Sequence, residues 1–207
     1  MTHFVLAFLD CEFGGLDPEQ HDITEIGVIV TDDRLVELTS REWKVLARPE
    51  RVTSEAAAIF DYDPERWARE GVGIRRALTE LGALLPAGHT VIPAGQNVRM
   101  DVMFLERAHK ACELPYPFDY HVIDLATLFY VWSLVAGERV TALSLRQAAS
   151  QAGLARSGTA HHALEDARLT LETFRHFIGR LALRRPPEET AWLPGLASLA
   201  GRDGSAP

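Results

Sequence analysis

An α/β domain is the fold class this sequence predicts, on three observations. Up to Leu46 the chain carries three apolar segments of strand length in succession, a meander. From Thr90 onward strand-like runs alternate with segments of helical period, the pattern of parallel strands joined by crossover helices. The third observation is size: 207 residues with 47% hydrophobic content suffice for one domain with its own core.

In chain order, His3-Phe4-Val5-Leu6-Ala7 opens the first strand, which runs through Phe8-Leu9-Asp10-Cys11-Glu12-Phe13 and ends at Gly14-Gly15. A polar loop from Leu16 to Asp22 leads to a β-branched run, Ile23 to Val30. Thr31-Asp32-Asp33-Arg34 reads as a hairpin connection and Leu35 to Leu46 as a loosely alternating third strand. Ser54 caps a short helix through Phe60, and Asp63-Pro64 has the N-cap and N1 signature of another. Ile74, Leu78, Leu81 and Leu85 set an amphipathic helix over 73–85, ended by Pro86. Thr90 to Gly95 is the next strand and delivers Gln96-Asn97 to a loop. A helix follows from Val98 to about Cys112, with Val102, Leu105 and Ala108 on its inner side. His121-Val122-Ile123 is a short strand that passes at Asp124 into the apolar helix Leu125 to Leu134. Leu145 to Ala152 is a helix capped by Ser144 and stopped by Gly153. The longest helix runs from about His162 to Arg184, and Pro186-Pro187 ends it. Residues 1–185 therefore form the domain, and 186–207, rich in Pro, Gly, Ala and Ser, a tail. Trp192, Leu193, Leu196 and Leu199 are too apolar for a pure linker; they either pack back on the domain or dock a protein partner such as a polymerase.

Composition narrows the function classes. No apolar run approaches the roughly 20 residues of a membrane span, and the opening residues lack the length and basic flank of a secretory signal. Cys11 and Cys112 form no Cys-x-x-Cys pattern, so neither a zinc ribbon nor a redox pair is expected; as buried free thiols they suit a reducing cytoplasm. The net charge of −8 argues against a protein that holds long nucleic acid mainly by a basic surface. Charge is uneven, however: residues 1–40 hold nine acids against one base, Arg34, whereas Gly137 to Arg185 holds eight arginines against four acids. Such a tilt either points a phosphate chain at an acidic, metal-loaded centre or marks a merely solvated helix face.

Three constellations carry chemistry. Asp10 and Glu12, two apart at the end of an apolar strand, share one face of it. Buried together they demand neutralisation, which hard divalent cations supply through oxygen ligands; the plainer alternative is that one acid caps a turn and the other is solvated. Cys11 between them points to the opposite face, into the core. Asp101, in Asn97-Val98-Arg99-Met100-Asp101, falls on the first turn of a helix facing the strand ends. His161 and Asp166, in Ala160-His161-His162-Ala163-Leu164-Glu165-Asp166, are five residues apart, about 500° of helical rotation, and would diverge by some 140° within one helix. To share a site, His161 must lie on the loop before the helix, where it suits a mobile base.

The order Asp-x-Glu, Asn-x-x-x-Asp, His-x-Ala-Leu-x-Asp resembles the DnaQ-like, or DEDDh, family of 3′→5′ exonucleases, which includes polymerase proofreading subunits, ribonuclease T and oligoribonuclease. The resemblance covers about residues 3 to 180. It implies a ribonuclease-H-like three-layer α/β/α fold with a five-stranded mixed sheet. The run Asp10 to Glu19, with Ile23-Thr24-Glu25-Ile26 after it, is most similar to oligoribonuclease, whereas the Asn97-to-Asp101 spacing is similar to proofreading exonucleases. Phe13 replaces the small or flexible residue common after the motif Glu, and Ile59-Phe60-Asp61 stands where many relatives have Ile-His-Gly; both departures alter the pocket more than the chemistry. His162 stands four before Asp166, the spacing at which a sister family carries a catalytic tyrosine, but the motif match favours His161 as the base.

The resemblance implies two-metal hydrolysis of phosphodiesters in single-stranded or short DNA or RNA, with release of nucleoside 5′-monophosphates. Asp10 would bridge both ions, Glu12 and Asp166 would complete the water-activating site, and Asp101 would hold the leaving-group ion directly or through water. His161, with an ordinary pKa of about 6.5, would take the proton. Oxygen-rich ligands favour Mg2+ or Mn2+ over zinc, and the His161-His162 pair lacks the cysteine or glutamate support of a zinc site. Phe13, Leu16 and Phe60 are either a wedge and stacking surface for terminal bases or plain core residues. Asn97 either caps its helix or touches the phosphate or the metal shell. Similarity to oligoribonuclease implies a homodimer. Two other functions stay open: a polymerase accessory subunit bound through the tail, and a phosphodiesterase for dinucleotides and other small oligonucleotides.

Overall fold

Strands β1 (Phe4–Phe13), β2 (Ile23–Thr31), β3 (Glu37–Lys44), β4 (Thr90–Gly95) and β5 (Ile123–Asp124) form one sheet in the order β3-β2-β1-β4-β5. The first three are antiparallel neighbours, and β4 and β5 continue the sheet parallel to β1. The coordinates, a computed structural model, describe residues 4–156 and 161–183; the boundary at 185 and the tail with Trp192 lie outside the described residues. No helix among the described residues is long and apolar enough to cross a membrane.

Helices α1 (Ser54–Ile59), α2 (Pro64–Glu70), α3 (Ile74–Leu84), α4 (Arg99–Ala111), α5 (Leu125–Ala136), α6 (Leu145–Gln151) and α7 (Ala163–Leu183) complete the described chain, with a 3-10 turn at Pro49–Arg51. The period-2 alternation of β1 divides the core. Val5, Ala7, Leu9 and Cys11 join Leu78 and Leu81 of α3 and Phe104 and Leu105 of α4, whereas Leu6 and Phe8 join Phe129 of α5, Ala148 of α6 and Leu171, Phe174 and Phe177 of α7. Each fully buried large apolar side chain contributes about 1.5–3 kcal/mol, so both faces of the sheet are secured by helices. The result is the three-layer α/β/α architecture with a five-stranded mixed sheet.

Several local expectations shift. Thr53, one residue earlier than Ser54, caps α1 through its hydroxyl, which accepts from Ala56 N at 3.1 Å. Asp63 and Ser144 cap α2 and α6 from the expected positions. The inner side of α4 is formed by Asp101, Phe104, Leu105 and His109, with Val102 and Ala108 only partly buried. The strand expected at His121–Ile123 is paired only at Ile123 and Asp124, because it meets β4 just at Ala94 and Gly95.

One irregularity shapes the site. Glu12 pairs with Glu25, but Phe13 pairs with Ile23, so Thr24 is an extra residue on β2. Such a bulge bends its strand and re-aims neighbouring side chains. Its carbonyl accepts from Trp67 Nε1 at 2.7 Å and from Val45 N at 2.8 Å, which ties α2 and the end of β3 to the bulge.

Candidate active site

Asp10 and Glu12 continue the face of β1 that begins with Leu6 and Phe8, the face covered by α7. Cys11 faces the other way and is 6% exposed, in the core as expected. Asp101 reaches the same strand end from α4; its Oδ1 accepts from Cys11 N at 2.8 Å, and it is 4% exposed. The start of α4 is fixed by Asp124, whose Oδ2 accepts from Val98 N at 3.1 Å while Oδ1 accepts from Ala126 N at 2.8 Å to cap α5.

Helix α7 brings Asp166, and its first turn rests directly on the sheet. Gly27 permits this: a Cβ there would lie 2.3 Å from Ala163 C and Leu164 N. Two carboxylates from the sheet occupy the helix N-terminus. Ala163 N donates to Glu25 Oε2 at 3.1 Å, and Leu164 N donates to Glu42 Oε1 at 3.1 Å, which satisfies amides that an α-helix leaves unpaired and places negative charge at the positive end of its dipole. Lys44 Nζ stands 3.8 Å from Glu25 and 3.9 Å from Glu42.

His161 lies outside α7, on the segment before it. Its amide bonds to Ile59 O at 3.4 Å, which sets the end of α1 beside it, and its Nδ1 stands 3.4 Å from Asp166 Oδ2. One donor atom each from Glu12, His161 and Asp166 lies within 4.8 Å of the others. His162 is not in that group; its charge acts on Glu25. Arg156 Nη2 donates to Asp166 Oδ2 at 2.8 Å. Asp166 Oδ1 is buried without a hydrogen-bond partner among the described residues.

The cluster is electrostatically costly as it stands. Burial, followed by the charges of Asp101, Glu12 and Asp166, holds the Asp10 carboxyl well above the usual range. Burial and Asp166 push Glu12 up to about 8, and burial pushes Asp101 up to about 8 against the Cys11 N–H that favours its charged form. Asp166 is raised by burial and lowered in part by Arg156 and His161. Burial and Arg156 lower His161, so its imidazole is neutral near pH 7.

The other expected contact residues separate. Leu16 is 83% exposed on the loop after β1, free to meet a ligand. Phe13 is half-buried and stacks on Phe104 with ring centroids 4.0 Å apart. Phe60 is 1% exposed and packs on Tyr62 and Trp67, so of its two readings the core one holds and it offers no stacking face. Asn97 is exposed at φ 55° and makes no side-chain cap; the cap reading is replaced by its carbonyl accepting from Met100 N. A cleft of about 750 Å³ adjoins His161 and is lined by Arg146, Ser150, Leu154, Arg156 and Leu169. The arginine tilt is thus divided: Arg146 and Arg156 line this cleft, whereas Arg168 pairs with Glu37 and Arg175 donates to Leu35 O.

The exonuclease model of the RNase_T family matches residues 7–174, which spans Asp10, Glu12, Asp101, His161 and Asp166. The chain belongs to the RNase_T exonuclease family. It is accordingly a phosphodiester hydrolase, a metal-dependent 3′→5′ exonuclease. The oligoribonuclease of Photobacterium profundum is 32% identical over 136 residues, covering 59% of this chain and 72% of that one. That of Sodalis glossinidius is 29% identical over 139 residues with the same coverage. A solved exonuclease I superposes with a TM-score of 0.69 at 18% identity, over 93% of this chain; the chain spans 43% of that protein's length. At that identity the likeness speaks for the fold. The RNase_T site fits divalent cations on its own geometry, since the convergent donors of Glu12, His161 and Asp166 and the unpartnered Asp166 Oδ1 present mainly hard oxygen ligands.

Proposed function

We propose that the enzyme removes nucleoside 5′-monophosphates one at a time from the 3′ end of short single-stranded oligonucleotides. The observation that carries this reading is the convergence of Glu12, His161 and Asp166 within 4.8 Å, at a strand end where Asp10 and Asp101 are also held, chiefly by burial, above their ordinary pKa. The names of the curated relatives, oligoribonucleases, favour short oligoribonucleotides as the substrate to try first.

Asp10, Glu12, Asp101 and Asp166 would hold two divalent cations, Mg2+ or Mn2+ by the preference of oxygen-rich sites. Bound there, such ions supply charge neutralisation at the phosphate and acidify the attacking water. His161, neutral near pH 7, takes the proton of that water at its ring nitrogen, and Asp166 at 3.4 Å from Nδ1 orients the ring. Leu16 packs against the terminal base, and exposed Asn97 meets the phosphate chain. Arg146 and Arg156 draw the strand into the cleft beside His161.

The test is a length series of 5′-labelled RNA and DNA, two to about thirty nucleotides, with magnesium, manganese or chelator. A ladder shortening from the 3′ end that requires the metal is expected, fastest on the shortest RNA. Endonucleolytic fragments, or shortening from the 5′ end, would overturn the proposal.

A further inference from the structure

Arg156 does more than line the cleft that receives the strand. Its guanidinium, 23% exposed on the segment between α6 and α7, donates to Asp166 Oδ2, the oxygen that His161 Nδ1 also approaches. Its charge favours the ionised forms of Asp10, Glu12 and Asp166, against the burial that penalises them. It also lines the cleft beside His161, together with Arg146. One side chain therefore touches both the acid cluster and the space in which a nucleic-acid strand would lie.

We propose that Arg156 is a resident counter-ion that competes with the metal for Asp166 and then binds the substrate's terminal phosphodiester. The proposal rests on the exonuclease reading for its second half only. Three physical points support it. A guanidinium is charged at every relevant pH, and its planar fork matches carboxylate and phosphate equally well. A dication on the unpartnered Oδ1 of Asp166 would repel the guanidinium hydrogen-bonded to Oδ2 of the same carboxylate, so each weakens the other's hold on Asp166. The cleft gives the displaced group somewhere to go, since Arg156 already lines it. Exchange of carboxylate for phosphate would then couple metal loading to substrate capture, because the arginine becomes available only once the cations are in place.

The test compares wild type with Arg156→Gln and Arg156→Lys, and it begins without nucleic acid. Manganese binding is followed by calorimetry, and the melting temperature is measured in chelator. The expected result for Arg156→Gln is manganese binding about tenfold tighter, the loss of one competing charge-assisted hydrogen bond, with a lower melting temperature in chelator. Binding of a fluorescent oligonucleotide in calcium should weaken about tenfold, and Arg156→Lys should restore the chelator melting temperature more than it restores oligonucleotide binding. Manganese binding that weakens or stays unchanged in Arg156→Gln would overturn the counter-ion role and leave Arg156 a scaffold for Asp166. Unchanged oligonucleotide binding would overturn the phosphate role. If wild type degrades no oligonucleotide, the exonuclease reading fails on its own, and the manganese comparison still decides the competition.

Discussion

Gly27→Ala places one methyl group between β2 and the first turn of α7, and its consequence can be worked from distances. The new Cβ would lie 2.3 Å from Ala163 C and Leu164 N, both backbone atoms, so α7 must retreat by roughly 1 Å to reach ordinary contact. That retreat stretches the two capping bonds, Ala163 N to Glu25 and Leu164 N to Glu42, each 3.1 Å now, to about 4 Å. Losing two hydrogen bonds to charged acceptors costs about 3 kcal/mol, and residual overpacking adds about 1–3 kcal/mol. The expected destabilisation is about 4–6 kcal/mol, a fall in melting temperature of roughly 10 °C or more for a protein of this size. Asp166 and His161 move with the helix, and misplacement by about 1 Å costs on the order of 100-fold in turnover. Urea unfolding gives the first quantity and single-turnover cleavage of a short oligonucleotide the second. Gly82→Ala is the control, since a Cβ there meets nothing within 4 Å and should be neutral or stabilising by up to about 1 kcal/mol. A Gly27→Ala protein within about 0.5 kcal/mol of wild type and within twofold in rate would refute the claim that this contact sets the site.

Three further outcomes are expected. In chelator, stability should fall as pH rises from about 5 to about 8, because folded Glu12 and Asp101 keep protons that the unfolded chain has released; the slope is up to about 1.4 kcal/mol per pH unit for each proton, and Asp10→Asn should raise the melting temperature in chelator while abolishing turnover. Melting curves across that range check it, and a rise with pH would contradict it. Trp67→Phe removes the donor to the bulged Thr24 carbonyl and should cost about 1–2 kcal/mol in urea unfolding. Leu16→Ala should leave stability within about 0.5 kcal/mol, as the side chain is 83% exposed, yet raise KM for short oligonucleotides about tenfold.

The parts of the site that could be read from the sequence are those set by local spacing. Asp10 and Glu12 share a strand face by period two, Asp101 stands on a first helical turn, and the angular argument placed His161 before α7, where it lies. What could not be read depends on contacts across the chain. Glu25 is an acid inside an apolar strand, a visible oddity, but its use as a cap for Ala163, 138 residues later, follows from the packing of α7 on β2. Nothing in the β-branched run around Gly27 marks that glycine; its need for a bare Cα comes from the α7 backbone packed against it. Phe60 could be read from the sequence either as a stacking residue or as core; Trp67 and Tyr62, which draw it inside, decide between the two. Arg156 stands in a loop with no periodicity to single it out, and only the fold sets it on Asp166.

The most direct test of the central claim is the anomalous difference map of crystals soaked in manganese with a short oligonucleotide. Two peaks about 4 Å apart, held by Asp10, Glu12, Asp101 and Asp166, with the 3′-terminal phosphodiester beside His161, are expected. Peaks elsewhere, or a 3′ end bound away from these carboxylates, would contradict the assignment of this strand end as the catalytic centre.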